Sequence, residues 1–182
     1  MLNYFSLINK YYSPETRTYK IFLIHAILVT NKALKIGRKL NLDKKELAFI
    51  EEASMLHDIG VIKVNSPKMD CAGELPYIAH GVAGAEILRQ EGLEKHALVA
   101  ERHVGVGLTA KEIEARKLPL PKKDFVPVSL AERIITYADL FFSKREETLW
   151  LKDTPREIEL ELRQFGEEQV EIFRNWRQEF GG

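Results

Sequence analysis

Four of the five histidines fall into one ordered series with two aspartates: His25, the adjacent pair His57-Asp58, His80, His103 and finally Asp139. Imidazole nitrogen and carboxylate oxygen bind divalent transition metals, and the chain has a single cysteine, so this series is the raw material of a nitrogen/oxygen metal site of more than one ion. An oxygen-bridged pair of ions can hold water as hydroxide near neutral pH and clamp a phosphoryl oxygen. The chemistry in prospect is hydrolytic.

A lone histidine on an apolar helix face is ordinarily a satisfied core residue. Five inward positions on five helices are different, because burying so many unpaired imidazoles and carboxylates would cost several kcal/mol each, on the order of the transfer penalty for polar groups. A shared metal centre compensates all of them together. His96 is left out. It lies seven residues before His103, about 10.5 Å along a helix at 1.5 Å per residue, too far to share an ion with nitrogen–metal bonds of about 2.0–2.1 Å.

The elements that must carry these residues read as helices, punctuated by capping signals. A short helix is expected over Leu2 to Tyr12. Ser13-Pro14-Glu15-Thr16 reads as a cap with proline at the first helical position, opening a long helix to about Leu40 with His25 in its apolar middle. Asp43 with Glu46 starts the next helix, on which Leu47, Ile50, Ala53, Ser54 and His57 recur at three- and four-residue steps, and Gly60 is expected to close it. Residues 61–78 carry two prolines and a glycine without a sustained period and read as a loop.

Helix resumes near Ile78, with His80, Ala83, Gly84, Ile87 and Leu88 on one face. The next, from about Glu94, places His96, Val99, Ala100 and His103 together. Thr109 to Glu112 and Ser129 to Glu132 both fit capping boxes, the second opening a helix with Ile135, Thr136, Asp139 and Phe142 on one face. After Thr154-Pro155 one or two charged helices run to Phe180, with Ile158, Leu162, Phe165, Ile172 and Trp176 as structural core contacts. No segment alternates with period two, so the fold class is all-α.

At 182 residues the chain supports one full core, and one domain is expected over residues 1–182. Lysine plus arginine equals aspartate plus glutamate at 27 each, so no overall field gathers nucleic acid or anionic lipid. Small phosphorylated molecules need only local cations and remain open. The unpaired Cys71 argues for a reducing, cytoplasmic setting. The longest apolar stretch, Ile21 to Val29, is interrupted by His25 and is shorter than the ~18 residues of a membrane span. No basic-then-apolar leader opens the chain.

The run Leu56-His57-Asp58-Ile59-Gly60, preceded by His25 in a helix and followed by Ala138-Asp139, resembles the HD metal-dependent phosphohydrolase superfamily, specifically its HDIG-type members, over about residues 20–145. The segment His80 to Leu88 is similar to the second-metal segment of binuclear HD proteins, including HD-GYP phosphodiesterases and diadenosine tetraphosphate hydrolases. Arg102-His103-Val104-Gly105 looks like the next ligand segment of that group. The resemblance implies a single HD-type helical bundle with a C-terminal extension over about 154–180. It implies a first metal held by His25, His57, Asp58 and Asp139, and a second held by His80 and His103 with Asp58 bridging. The implied ions are iron or manganese, and the implied substrate is a small phosphorylated molecule, a nucleotide for preference.

The sequence departs from these relatives in two places. Val104-Gly105-Val106-Gly107 stands where cyclic-di-GMP phosphodiesterases carry Gly-Tyr-Pro, which argues against that substrate. Val61-Ile62-Lys63 follows Gly60, where many HDIG proteins place lysine directly after the glycine. Lys63 is nevertheless the leading candidate to meet substrate phosphate beside the catalytic Asp58, and Arg102 and Arg145 are further cationic candidates. Two other functions fit the same ligands: a di-iron oxygenase, and a non-catalytic module that binds nucleotide or metal for regulation.

Overall fold

The computed structural model describes residues 2–181. Among them the architecture is all-α, with nine α-helices joined by short 3₁₀ turns. They are α1 (Tyr4–Tyr11), α2 (Arg17–Lys39), α3 (Lys44–Leu56), α4 (His80–Gln90), α5 (Glu94–Arg102), α6 (Ala110–Ala115), α7 (Leu130–Asp139), α8 (Pro155–Arg163) and α9 (Glu167–Phe180). No helix of the described residues is long and apolar enough to cross a membrane.

The helix starts follow the capping chemistry of the sequence. Asp43/Glu46, Thr109/Glu112, Ser129/Glu132 and Thr154/Glu157 all form reciprocal capping boxes, which satisfy backbone N–H groups that have no partner inside the helix. The start of α2 differs from expectation. Thr16 is the N-cap, accepting from the Tyr19 N–H, so Pro14 lies before the helix and not at its first position.

Helix α2 packs along α3 and α7, and α4 packs on α5. One core joins Val29 and Ala33 of α2, Ile50 and Ala53 of α3, Ile134 and Tyr137 of α7, and Phe173, Trp176 and Phe180 of α9. A second joins Leu7, Ile8 and Tyr12 to Phe22, Leu56, Ile59, Leu88 and Ala100. The two C-terminal helices therefore seal the α7 side, and α1 seals the side of α4 and α5. Phe165 is not a core contact as expected, being 49% exposed. The chain reverses at Gly166 between α8 and α9, so Phe165 falls in the link and off the helical period.

Gly60 has a different role from the helix stop that the sequence implies. Helix α3 already ends at Leu56, and Gly60 lies inside a 3₁₀ turn, Ile59–Lys63, outside the left-handed region. Its need is space: a Cβ there would overlap the backbone carbonyl oxygen of His80 and the backbone nitrogen of Gly84. The turn is pinned from its other side by Tyr12, whose hydroxyl donates to Ile59 O and accepts from Ile62 N, both at 3.0 Å. Asp58 is thus held between α3 and a turn clamped from two directions.

Among the described residues the loop at 61–78 contains the one pair of strands, the antiparallel β1 (Asn65–Ser66) and β2 (Cys71–Ala72). Two residues per strand cannot show an alternation, which is why the sequence carries no trace of it. Thr18 ties this loop to α2 by donating to Met69 O at 2.8 Å.

Candidate metal centre

Three of the four histidines in the series are oriented by the same local device. A helix end leaves its last carbonyls without intrahelical donors, and an imidazole just past that end can supply one. His57 Nδ1 lies 2.6 Å from Ser54 O, His80 Nδ1 2.7 Å from Tyr77 O, and His103 Nδ1 2.8 Å from Ala100 O. Carbonyl oxygens only accept, so each Nδ1 carries a proton, and in the neutral ring each Nε2 is left as a lone pair. His57 and His103 are the C-cap residues of α3 and α5, and His80 follows the 3₁₀ turn Tyr77–Ala79.

All of these Nε2 lone pairs point to one place. His80 Nε2 is 3.1 Å from His103 Nε2, and His25 Nε2 is 3.3 Å from His57 Nε2. Asp58 lies between the two pairs. Its Oδ1 is 3.3 Å from both His80 and His103 Nε2, and its Oδ2 is 3.3 Å from His25 and 3.4 Å from His57 Nε2. Asp139, the last residue of α7, brings Oδ1 to 2.8 Å from His25 and 3.4 Å from His57 Nε2. The donors therefore form two groups, His25/His57/Asp58/Asp139 and Asp58/His80/His103, with Asp58 common to both.

Facing acceptors with no proton between them repel, and the buried Asp58 Oδ1 and Asp139 Oδ1 have no hydrogen-bond partner. Such orphaned groups cost about 1–3 kcal/mol each. A cation removes the repulsion. Ligands bonded to one ion at about 2.1 Å, with angles of about 90–110° between them, lie about 3.0–3.4 Å apart, and the separations above match except for the shorter 2.8 Å between His25 and Asp139. The residues fit divalent metal.

Burial pushes the His80 imidazole down to about 3, which keeps it neutral and ligand-ready. Burial alone would raise the Asp58 and Asp139 carboxyls, but the Lys144 ammonium and the surrounding imidazoles together outweigh it and hold both well below the usual carboxylate range. Lys144 Nζ is 2.7 Å from Asp58 Oδ2 and 4.0 Å from Asp139 Oδ1. It is the cation of this centre, and it is absent from the candidates drawn from sequence. An α7 extended through Phe142 would carry residue 144 about 140° around the helix from Asp139, at 100° per residue. Because α7 stops at Asp139, the chain turns back and delivers the lysine.

The cations drawn from sequence are placed as follows. Lys63 is exposed on the 3₁₀ turn and is not among the residues lining the cavity at the centre. Arg102 pairs with Glu132 Oε2 at 2.9 Å, locking the end of α5 to the capping box of α7. Arg145 is exposed and lines the cavity, though it caps a 3₁₀ turn and does not continue α7. His96 stands apart with Glu52 Oε2 at 3.4 Å and the Phe49 ring beside it. The cavity has a volume of about 540 Å³ and is lined by the buried His80 and His103, by Asp139 and Lys144, and by the exposed Arg145 further out.

Comparison with known proteins agrees with this geometry. A segment of 125 residues is 38% identical to an uncharacterized protein of Methanocaldococcus jannaschii, covering 67% of this chain and 61% of that one. A segment of 120 residues is 33% identical to the tRNA (cytidine(56)-2'-O)-methyltransferases of Picrophilus torridus and Thermoplasma volcanium, covering 65% of this chain but 30% and 31% of theirs. The match thus spans less than two thirds of each of these relatives. Residues 22–142 match the HD domain family, a stretch that contains every histidine and aspartate of the two donor groups. The chain belongs to the HD domain family.

Proposed function

We propose that the protein is a metal-dependent phosphohydrolase acting on a small nucleotide or related phosphate ester or anhydride. The observation that carries this reading is the pair of donor groups joined through one carboxylate, Asp58, at the inner end of a cavity that also holds Lys144 and Arg145. In this reading His25, His57, Asp58 and Asp139 hold one ion, and His80 and His103 hold a second with Asp58 shared. That is the arrangement of the binuclear HD proteins that the sequence resembles. Nitrogen/oxygen donors suit iron or manganese. Bound there, such ions supply a water nucleophile at neutral pH and neutralise phosphoryl charge.

The chain's own residues do the rest. The i−3 carbonyls fix the three imidazole tautomers, so no proton has to leave a ring before it ligates. Lys144 neutralises Asp58 and stands at the cavity wall, where an incoming phosphate oxygen meets it, with Arg145 further out. Hydrolysis forms one P–O bond to the oxygen of water and breaks another, one proton of that water passing to the leaving oxygen and the other staying with the phosphate or solvent. A single HD-type domain in a reducing cytoplasm completes the proposal, α8 and α9 being packed on the same core as α7.

The test is metal analysis coupled to a panel of nucleoside monophosphates, dinucleoside polyphosphates, cyclic nucleotides and short oligoribonucleotides under iron and manganese. The oligoribonucleotides enter because two relatives are named as tRNA-modifying enzymes. Stoichiometric metal with no ester hydrolysed would leave a binding module. Oxygen consumption with an organic substrate by the iron-loaded protein would favour an oxygenase.

Two variants probe the centre further. His80→Ala should lose one of two metal equivalents, because it leaves the second group with one imidazole and a shared carboxylate; retention of both equivalents would refute the two-ion assignment. Lys144→Met removes a charge-assisted contact, worth about 1.5–3 kcal/mol. Its kcat/KM should fall about 10- to 100-fold, mainly through KM, and an unchanged KM would remove Lys144 from phosphate binding.

A further inference from the structure

The cavity that starts at His80, His103 and Asp139 continues to a far wall built by α6, α8 and α9. Helices α8 and α9 lie outside the 22–142 segment shared with the family, while α6 lies within it, so only the α8 and α9 part of this wall is an addition to the common core. Phe165 projects into the cavity lining with its ring half exposed, and the Arg116 guanidinium carbon sits 4.7 Å from the ring centroid. A guanidinium over an aromatic face holds the ring in place and makes a flat, polarised surface. Ile158 and Leu162 of α8 supply the apolar part of the same wall.

Gln169 of α9 adds a hydrogen-bonding group of defined polarity. Its Nε2 donates to Glu112 Oε1. A carboxylate only accepts, so this bond sets the amide with its NH₂ toward Glu112, and Gln169 Oε1 is left without a partner among the described residues, on a residue that lines the cavity. Glu112 cannot turn away, because its Oε2 accepts from the Thr109 backbone N–H at 2.8 Å and the Thr109 hydroxyl at 2.7 Å. The wall also carries the carboxylates of Glu112 and Glu161, which oppose a second phosphate and favour N–H donors. The cations Lys144 and Arg145 lie on the segment that follows Asp139.

We propose that this far wall is a subsite for an amino-bearing nucleobase. The base stacks on the Phe165–Arg116 pair, and its exocyclic amine donates to Gln169 Oε1. The volume of about 540 Å³ falls inside the range of about 300–1,000 Å³ usual for small-molecule sites. This subsite rests on the phosphohydrolase reading above, since it names the group that the phosphate ester carries.

Two measurements on the full chain test it. The first is calorimetric titration with adenosine, inosine, cytidine and uridine, none of which carries phosphate. Adenosine should bind about tenfold tighter than inosine, and cytidine than uridine, because exchanging the amine for a keto oxygen sets two acceptors against each other at a cost of about 1–3 kcal/mol. Phe165→Ala and Gln169→Leu should each weaken adenosine binding about tenfold, and Gln169→Leu should also erase the preference for the amine. The second is the ratio of kcat/KM for the amino-bearing 5′-nucleotides to that for ribose 5-phosphate, which should fall about tenfold in both variants through KM.

No preference for the amine, whether from equal binding or from none, overturns the subsite and leaves phosphate-ester chemistry standing. A kinetic ratio unmoved in both variants does the same. Amine-selective binding that both variants weaken, in a protein that hydrolyses no ester, supports the subsite and overturns the hydrolase reading.

Discussion

Asp58→Ala is expected to abolish hydrolysis of every substrate found, by at least about 10³-fold, the scale on which residues that act as a catalytic unit fail together. The size of the effect follows from the sharing of one carboxylate. Removing it leaves the second donor group with only His80 and His103, and the first with His25, His57 and Asp139. Metal content should therefore fall by at least one equivalent, with the remaining ion held more weakly. The variant also strips Lys144 of its nearest counter-charge at 2.7 Å. Helical content measured by circular dichroism should be retained, because Asp58 contributes to neither hydrophobic core. An unchanged rate with wild-type metal content would sink the proposed centre.

The second large effect is on stability. Gly60→Ala places a methyl where the His80 carbonyl oxygen and the Gly84 backbone nitrogen already lie, and neither is the flexible end of a side chain. Relief requires the Ile59–Lys63 turn to lift from α4, against the Tyr12 hydroxyl that holds it at Ile59 and Ile62. Overpacking a tight core site costs about 1–3 kcal/mol and occasionally more. Here backbone meets backbone, so a loss of about 3 kcal/mol is expected. For a chain of this size that lowers Tm by about 6–12 °C. Because the turn follows directly on Asp58 and bears on His80, the variant should also lose metal affinity, and thermal melts with and without added manganese measure both. A melting temperature within a degree of wild type would show that the turn is not clamped as described.

Much of the fold was legible because its signals are local. A capping box needs two residues three apart, and Asp43/Glu46, Thr109/Glu112 and Ser129/Glu132 each mark a helix start that the structure contains. The inward faces of α2 through α5 follow from three- and four-residue recurrence. The same spacing put His25, His57, His80 and His103 on buried faces, and excluded His96, which lies apart with Glu52. The start of α2 was misplaced by three residues, because Ser13-Pro14 and Thr16 are both capping signals and only one can act.

What was not legible depends on where chains meet. Lys144 was missed because its approach to Asp58 requires α7 to end at Asp139, a boundary set by the packing of the segment that follows. Arg102 looked available until Glu132, thirty residues away, was found to hold it. Phe165 read as core, yet a reversal at Gly166 turned it into cavity lining.

The sequence by itself determined the helices, the kind of metal donors and their order along the chain, because these depend on residue type and on spacings within a few turns. The family resemblance already implied a shared Asp58; only the tertiary structure decided the distances at which it lies between the two groups of donors, which lysine neutralises it and which walls line the cavity. Those are distances between residues far apart in the chain, and they are set by how α2, α4, α5, α7 and the C-terminal helices pack, which no local spacing encodes.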